Sequence, residues 1–230
     1  MENYSYIKDN YSRLVDEIAA FSKKYSRSIT LVCVTKSGSD EELLALAGYG
    51  AANIGENRPQ ELVRRGALLR EAGFTPALHE IGNLQRNKVK SIIADVALIH
   101  SLDGYELAVE INKQAERVGR TVPVLIEVNS ADEEAKGGIS PEECEEFYLK
   151  LRELSSIEVV GIMTMGPVCE DPEDIRPYFR STKRLFDQMN EKYHFRDGGI
   201  LSMGMSDSYR VAIEEGSTLV RVGRMLFNKN

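Results

Sequence analysis

Thr30-Leu31-Val32-Cys33-Val34 runs straight into Thr35-Lys36-Ser37-Gly38. A short apolar run bounded by turn residues fits a strand buried on both faces. The turn after the run separates two architectures. An open, doubly wound sheet needs a glycine-rich first turn of the form GxGxxG. Thr35-Lys36-Ser37-Gly38 does not match it.

Working outward, comparable runs recur along the chain. They are Ala52-Asn53-Ile54, Leu78-His79-Glu80-Ile81, Ala97-Leu98-Ile99-His100, Val122 to Val128, Val159 to Met163, Ile200-Leu201-Ser202 and Leu219-Val220-Arg221-Val222. Helical patterns lie between them. Asp40 suits the cap of a helix through Leu46. Glu106 to Val118 places Leu107, Ala108, Ile111 and Ala115 on one face. Pro141 suits the first turn of a helix begun at Ser140, and Tyr178 to Asn190 forms another. Residues 5–25 form an extra leading helix. Strands alternating with helices imply a parallel sheet, and eight such units close into a barrel. No linker, low-complexity tract or composition break interrupts them. The expected class is α/β: a single-domain (β/α)8 TIM barrel spanning 1–230, with an extra N-terminal helix.

Composition narrows the function. The chain has 230 residues and a formal net charge of -7, so no nucleic-acid footprint is expected. The basic cluster Arg86-Asn87-Lys88-Val89-Lys90 reads as a solvated helix face. No apolar run approaches the roughly 20 residues that span a membrane, and the N-terminus lacks the pattern of a secretory signal. Cys33, Cys144 and Cys169 are widely spaced, which indicates neither a disulfide framework nor a zinc site. The expected compartment is the cytoplasm.

In such a barrel, functional groups sit at the C-terminal ends of the strands. Lys36 comes directly after the first strand. A lysine aimed into the mouth from a hydrophobic strand is expected to be partly desolvated, which favours the neutral amine that condenses with carbonyls. The alternative is a lysine that snorkels to solvent. The loops after strands seven and eight often bind a phosphate. Ser202, Gly204 and Ser206 supply hydroxyls and close backbone approach, and Gly223 does so from a second side. Ser206 to Glu214 reads as a short helix start that favours an anion; the alternative is an ordinary Ser/Gly turn.

Arg221 is a lone charge in an apolar run and needs an acceptor. The nitrogen of a cofactor's pyridine ring would serve, and so would a structural ion pair with Glu127. His79 has no second ligand at metal spacing. His100 and His194 read as structural. Met163 and Met165 read as core filler, although one could border a ring.

The chain resembles the pyridoxal phosphate homeostasis protein family, a small relative of the alanine racemase N-terminal barrel. The resemblance runs from about residue 30 to residue 227. Its motifs stand as Val34-Thr35-Lys36, Gly55-Glu56-Asn57-Arg58-Pro59-Gln60-Glu61-Leu62 and His79-Glu80-Ile81-Gly82-Asn83-Leu84-Gln85-Arg86-Asn87-Lys88. They continue as His100-Ser101-Leu102-Asp103, Lys136-Gly137-Gly138, Ser202-Met203-Gly204-Met205-Ser206 and Val220-Arg221-Val222-Gly223.

The resemblance implies that Lys36 carries pyridoxal 5'-phosphate (PLP) as a Schiff base and that Arg221 faces its ring nitrogen. It implies that Ser202, Gly223 and the backbone at Arg224 hold the phosphate. Asn57 and His79 would line the ring, with Met203 and Ser206 completing the pocket. Arg224 stands where the family places a small hydroxyl residue, so it adds a charge for the phosphate or crowds the site. The expected partners are PLP and apo PLP-dependent enzymes, with the chain as a monomer. The expected role is to buffer or deliver PLP, with indirect effects on amino-acid and keto-acid balance. An amino-acid racemase-like enzyme of low activity is the alternative. A racemase needs a proton donor and acceptor on opposite faces of the substrate carbon, and no segment beyond strand eight is seen to supply the second.

Overall fold

The computed structural model describes residues 4–131 and 137–229. Eight parallel strands close into a barrel in chain order: β1 (Thr30–Val34), β2 (Asn53–Glu56), β3 (Ala77–Glu80), β4 (Val96–Leu102), β5 (Val122–Glu127), β6 (Ile157–Met163), β7 (Ile200–Ser202) and β8 (Leu219–Val222). β8 returns to pair with β1 along Thr30↔Leu219 to Cys33↔Val222, which removes both sheet edges. The (β/α)8 barrel expected from the sequence is therefore the fold.

The helices are α1 (Ser5–Tyr25), α2 (Asp40–Gly48), α3 (Pro59–Glu71), α4 (Arg86–Ile92), α5 (Tyr105–Arg117), α6 (Cys144–Leu151), α7 (Arg176–Tyr193) and α8 (Tyr209–Glu214). α1 is the extra leading helix. It buries Ile7, Leu14 and Ile18, and its Asn10 donates to the carbonyls of Leu226 and Asn228. The start and the end of the barrel are thereby tied together.

Several boundaries differ from the sequence reading. Ser39, not Asp40, caps α2: the Glu42 N–H donates to Ser39 Oγ at 3.2 Å and the Ser39 N–H to Glu42 Oε2 at 2.7 Å. Ser140 closes a turn onto Glu143 instead of opening a helix, and α6 begins later, at Cys144. Val128 lies outside β5 and bridges to Ile139. The helix expected from Ser206 starts at Tyr209, because the N–H groups of both Ser208 and Tyr209 donate to the Met205 carbonyl and hold 206–208 in a turn.

The main core lies between barrel and helices, where Leu43, Leu62, Ile92, Ile111 and Phe179 are fully or almost fully buried. Inside the barrel a smaller apolar layer of Val32, Leu98, Leu125, Val160, Met163 and Leu219 fills the floor. This floor leaves the upper barrel to polar side chains.

Candidate functional site

Side chains alternate along a strand. Val32 belongs to the inner layer and Val34 lines the mouth, so the same parity carries Lys36 to the mouth. The residue between them, Thr35, faces the other way and is completely buried. There it meets a buried ion pair. Arg65 Nη1 lies 2.7 Å from Glu56 Oε1, and both side chains are almost wholly enclosed. Thr35 Oγ1 donates to the same carboxylate oxygen at 2.5 Å. Arg65 also donates to the carbonyl of Thr35 at 2.5 Å and to that of Gly38 at 2.6 Å. The turn that carries Lys36 is therefore gripped on both sides of the lysine. Lys36 itself is exposed, so the desolvation expected of it is not present.

Lys36 lines a cavity of about 370 Å³ together with Asn57, Ile81, Ser206, Arg221 and Gly223. Arg224, Met165 and Met205 complete its walls. The cradle depends on two close approaches. A Cβ on Gly82 would lie 2.3 Å from the Asn57 carbonyl oxygen, and a Cβ on Gly223 would lie 2.8 Å from that of Val34. The Gly223 N–H donates to Ser206 Oγ at 3.3 Å, which joins the turns after β7 and β8. The hydroxyl proton of Ser206 remains free to serve an anion. Arg224 is exposed and ion-paired with Asp207 at the edge of the cavity that it lines.

Arg221 is buried beneath this mouth. It donates from Nη1 to Ser202 Oγ at 2.6 Å and from Nη2 to the Thr164 carbonyl at 3.1 Å, with Met165 Sδ at 3.6 Å. No carboxylate lies within ion-pair distance among the described residues, so the pairing with Glu127 is not a contact. Burial pushes Arg221 down to about 10, and the more distant Glu127 partly opposes this. Glu127 is pushed up to about 7 by burial, with Asp103 adding and Arg221 opposing.

Of the residues singled out from sequence, Lys36, Asn57, Ser206, Arg221, Gly223 and Arg224 come together at one cavity. His79, Ser202 and Met203 do not line it. Met203 is fully buried in the core between barrel and helices. Ser202 is fully buried under Arg221, and His79 is nearly so, bonded to His100 and Asn53. Met165 and Met205 line the mouth instead, while Met163 is core. Sequence reasoning placed Gly82 at the end of the third strand but assigned neither it nor Ile81 and Ser37 to the site, although the parity of β3 pointed to Ile81. Lys136 lies outside the described residues. No group of three or more His, Cys, Asp or Glu side chains suited to a metal ion occurs among the described residues, and no helix there is long and apolar enough to cross a membrane.

A second cavity, of about 460 Å³, adjoins the first and shares Met165, Met205 and Arg224 with it. It is larger, but it does not contain the Lys36 amine.

Comparison with known proteins adds to this geometry. Residues 6–230 match the family model described as alanine racemase, N-terminal domain. A pyridoxal phosphate homeostasis protein from Aquifex aeolicus is 39% identical over 224 residues, covering 96% of this chain and 97% of that protein. A solved structure of an unknown protein from Bifidobacterium adolescentis is 33% identical, with a TM-score of 0.89 over 99% of this chain and 97% of that one. PipY of Synechococcus elongatus, solved with PLP bound, shares the fold at 23% identity. Its TM-score is 0.83, covering 96% of this chain and 100% of PipY.

Proposed function

The chain belongs to the pyridoxal phosphate homeostasis protein family, built on the alanine racemase N-terminal barrel, and we propose that it holds PLP as a Schiff base on Lys36. One observation carries this reading. A lysine amine, a buried guanidinium and the Ser206–Gly223 junction converge on a single cavity.

These residues fit the cofactor. Gly223, Ser206 and the backbone at Arg224 offer N–H and hydroxyl donors to a phosphate at the mouth of β7 and β8. Arg221 is a permanent donor and suits an unprotonated ring nitrogen, since a neighbouring positive charge disfavours pyridinium. Asn57 lies beside Lys36 on the rim. When bound, PLP would supply an aldehyde to the Lys36 amine, the group that would hold it. Because Lys36 is exposed, its reactivity rests on proximity rather than on desolvation. A phosphate held by the adjoining turns after β7 and β8 would keep the ligand beside the amine and raise its effective concentration.

The role is that of a carrier that buffers PLP or delivers it to apo-enzymes, with indirect effects on amino-acid and keto-acid balance. The names of the relatives support it. So does the chemistry, because a ring kept unprotonated by Arg221 is a poor electron sink, and an open mouth admits water. In this reading residues 1–230 form one domain that works as a cytoplasmic monomer.

The test is transfer. PLP-loaded protein mixed with an apo PLP-dependent enzyme restores that enzyme's activity, and Lys36→Ala protein treated in the same way does not. Racemisation of alanine by the loaded protein at ordinary enzyme rates, on the order of 1–10³ per second, would contradict the carrier role.

A further inference from the structure

Beneath the mouth a row of side chains crosses the barrel from β2 to β8. Asn53 Oδ1 lies 3.1 Å from His79 Nε2, and His79 Nδ1 lies 2.9 Å from His100 Nε2. His100 Nδ1 lies 3.1 Å from Ser202 Oγ, which accepts from Arg221 at 2.6 Å. Both histidines and Ser202 are buried.

The direction of the protons is set by the end of the row. A guanidinium can only donate, so Ser202 Oγ accepts from Arg221. The Ser202 proton then needs an acceptor of its own, and the remaining neighbour at hydrogen-bond distance is His100 Nδ1. His100 therefore carries its proton on Nε2 and donates to His79 Nδ1. His79 in turn carries its proton on Nε2 and donates to the Asn53 carbonyl oxygen. The opposite sense would leave the Ser202 proton without a partner in a fully buried place, which costs about 1–3 kcal/mol. A charged ring anywhere in the row would either set two donors against each other or turn the Ser202 proton away from its acceptor. Burial disfavours that form as well, pushing His79 down to about 4 and His100 well below its ordinary value.

We propose that His100 and His79 are positioning residues: by taking the Ser202 proton they fix its lone pairs on Arg221 and aim the guanidinium at the cavity. Arg221 is thus held by the neutral acceptors Ser202, Thr164 and Met165, with no carboxylate among the described residues in contact to satisfy its charge. Its remaining N–H groups suit a lone-pair acceptor on a neutral ring. This last point rests on the reading that PLP occupies the cavity.

Two measurements test the row. Nitrogen NMR of the histidine rings in the unliganded wild-type protein is expected to show His79 and His100 neutral at neutral pH, both protonated on Nε2. A proton on Nδ1 of either ring, or a charged ring, overturns the proposal, and this result needs no variant to fold. In PLP-loaded protein, Ser202→Ala and His100→Phe are expected to keep the visible Lys36 band. The band should shift in position, with PLP retention roughly tenfold weaker, the scale of one lost hydrogen bond to a charged group. Wild-type band and retention in both variants would overturn it. If wild-type protein forms no visible band with PLP, the cofactor reading fails, and the ring shifts still decide the row.

Discussion

Arg65 donates to the carbonyls on both sides of Lys36 while pairing with the buried Glu56. Removing one partner of such a pair leaves the other charge uncompensated. Arg65→Met is therefore expected to cost about 3–5 kcal/mol, read from urea unfolding, and to weaken PLP retention. Adding Glu56→Gln to it should recover part of that loss. If Arg65→Met unfolds at the wild-type urea midpoint, the clamp is not what holds the turn.

Glu80 gives a second test at this scale. It is fully buried, one of its carboxyl oxygens lacks a partner among the described residues, and burial pushes it up to about 8 from an ordinary 4.5. The Gly82 N–H opposes that rise and the Glu56 charge adds to it. Between those two values the folded chain keeps a proton that the unfolded chain releases, so this carboxyl makes stability fall as pH rises through the window. Glu80→Gln removes the slope. The variant should gain stability relative to wild type between about pH 5 and about pH 9, as measured by urea midpoints. An equal difference at both pH values would contradict the assignment.

At the scale of elements, the strand-and-helix alternation was plain from the sequence because each strand is a short apolar run. Boundaries were less legible where side chains decide them. Ser39 with Glu42 fixed the start of α2, and the shared Met205 carbonyl delayed α8 to Tyr209. The site shows the same division. Lys36, Arg221, Ser206 and Gly223 stood out as polar or glycine residues at strand ends. His79 and Ser202 carry the same local signals but point below the mouth, and Met203 packs outward in the core between barrel and helices, which only the closed barrel reveals. The turn after β3 carries a prediction of its own. Gly82 packs against the Asn57 carbonyl, where any Cβ would collide with backbone. Gly82→Ala is expected to displace Asn57 from the rim and weaken PLP binding, seen by absorbance titration, with the barrel's far-UV circular dichroism retained. Wild-type affinity would show that this approach does not shape the cavity.

At the scale of the molecule, the closed sheet gives the cavity rigid walls drawn from both ends of the chain. β1 supplies the lysine and β8 the arginine, and their pairing sets Val32 opposite Arg221. Asn10 of α1 ties the first helix to the tail after β8. Lys36 and the proposed phosphate donors after β8 thus sit on adjoining strands before any ligand arrives, which lowers the cost of ordering on binding. In the proposed function Lys36 is a reversible tether, and its claim on PLP is the centre of the account. The direct measurement is the absorbance spectrum of purified protein titrated with PLP, then borohydride reduction and peptide mass mapping. The account predicts a visible band that is absent in Lys36→Ala, and a reduced pyridoxyl adduct on Lys36. A band that survives in Lys36→Ala, or an adduct confined to another lysine, would contradict it.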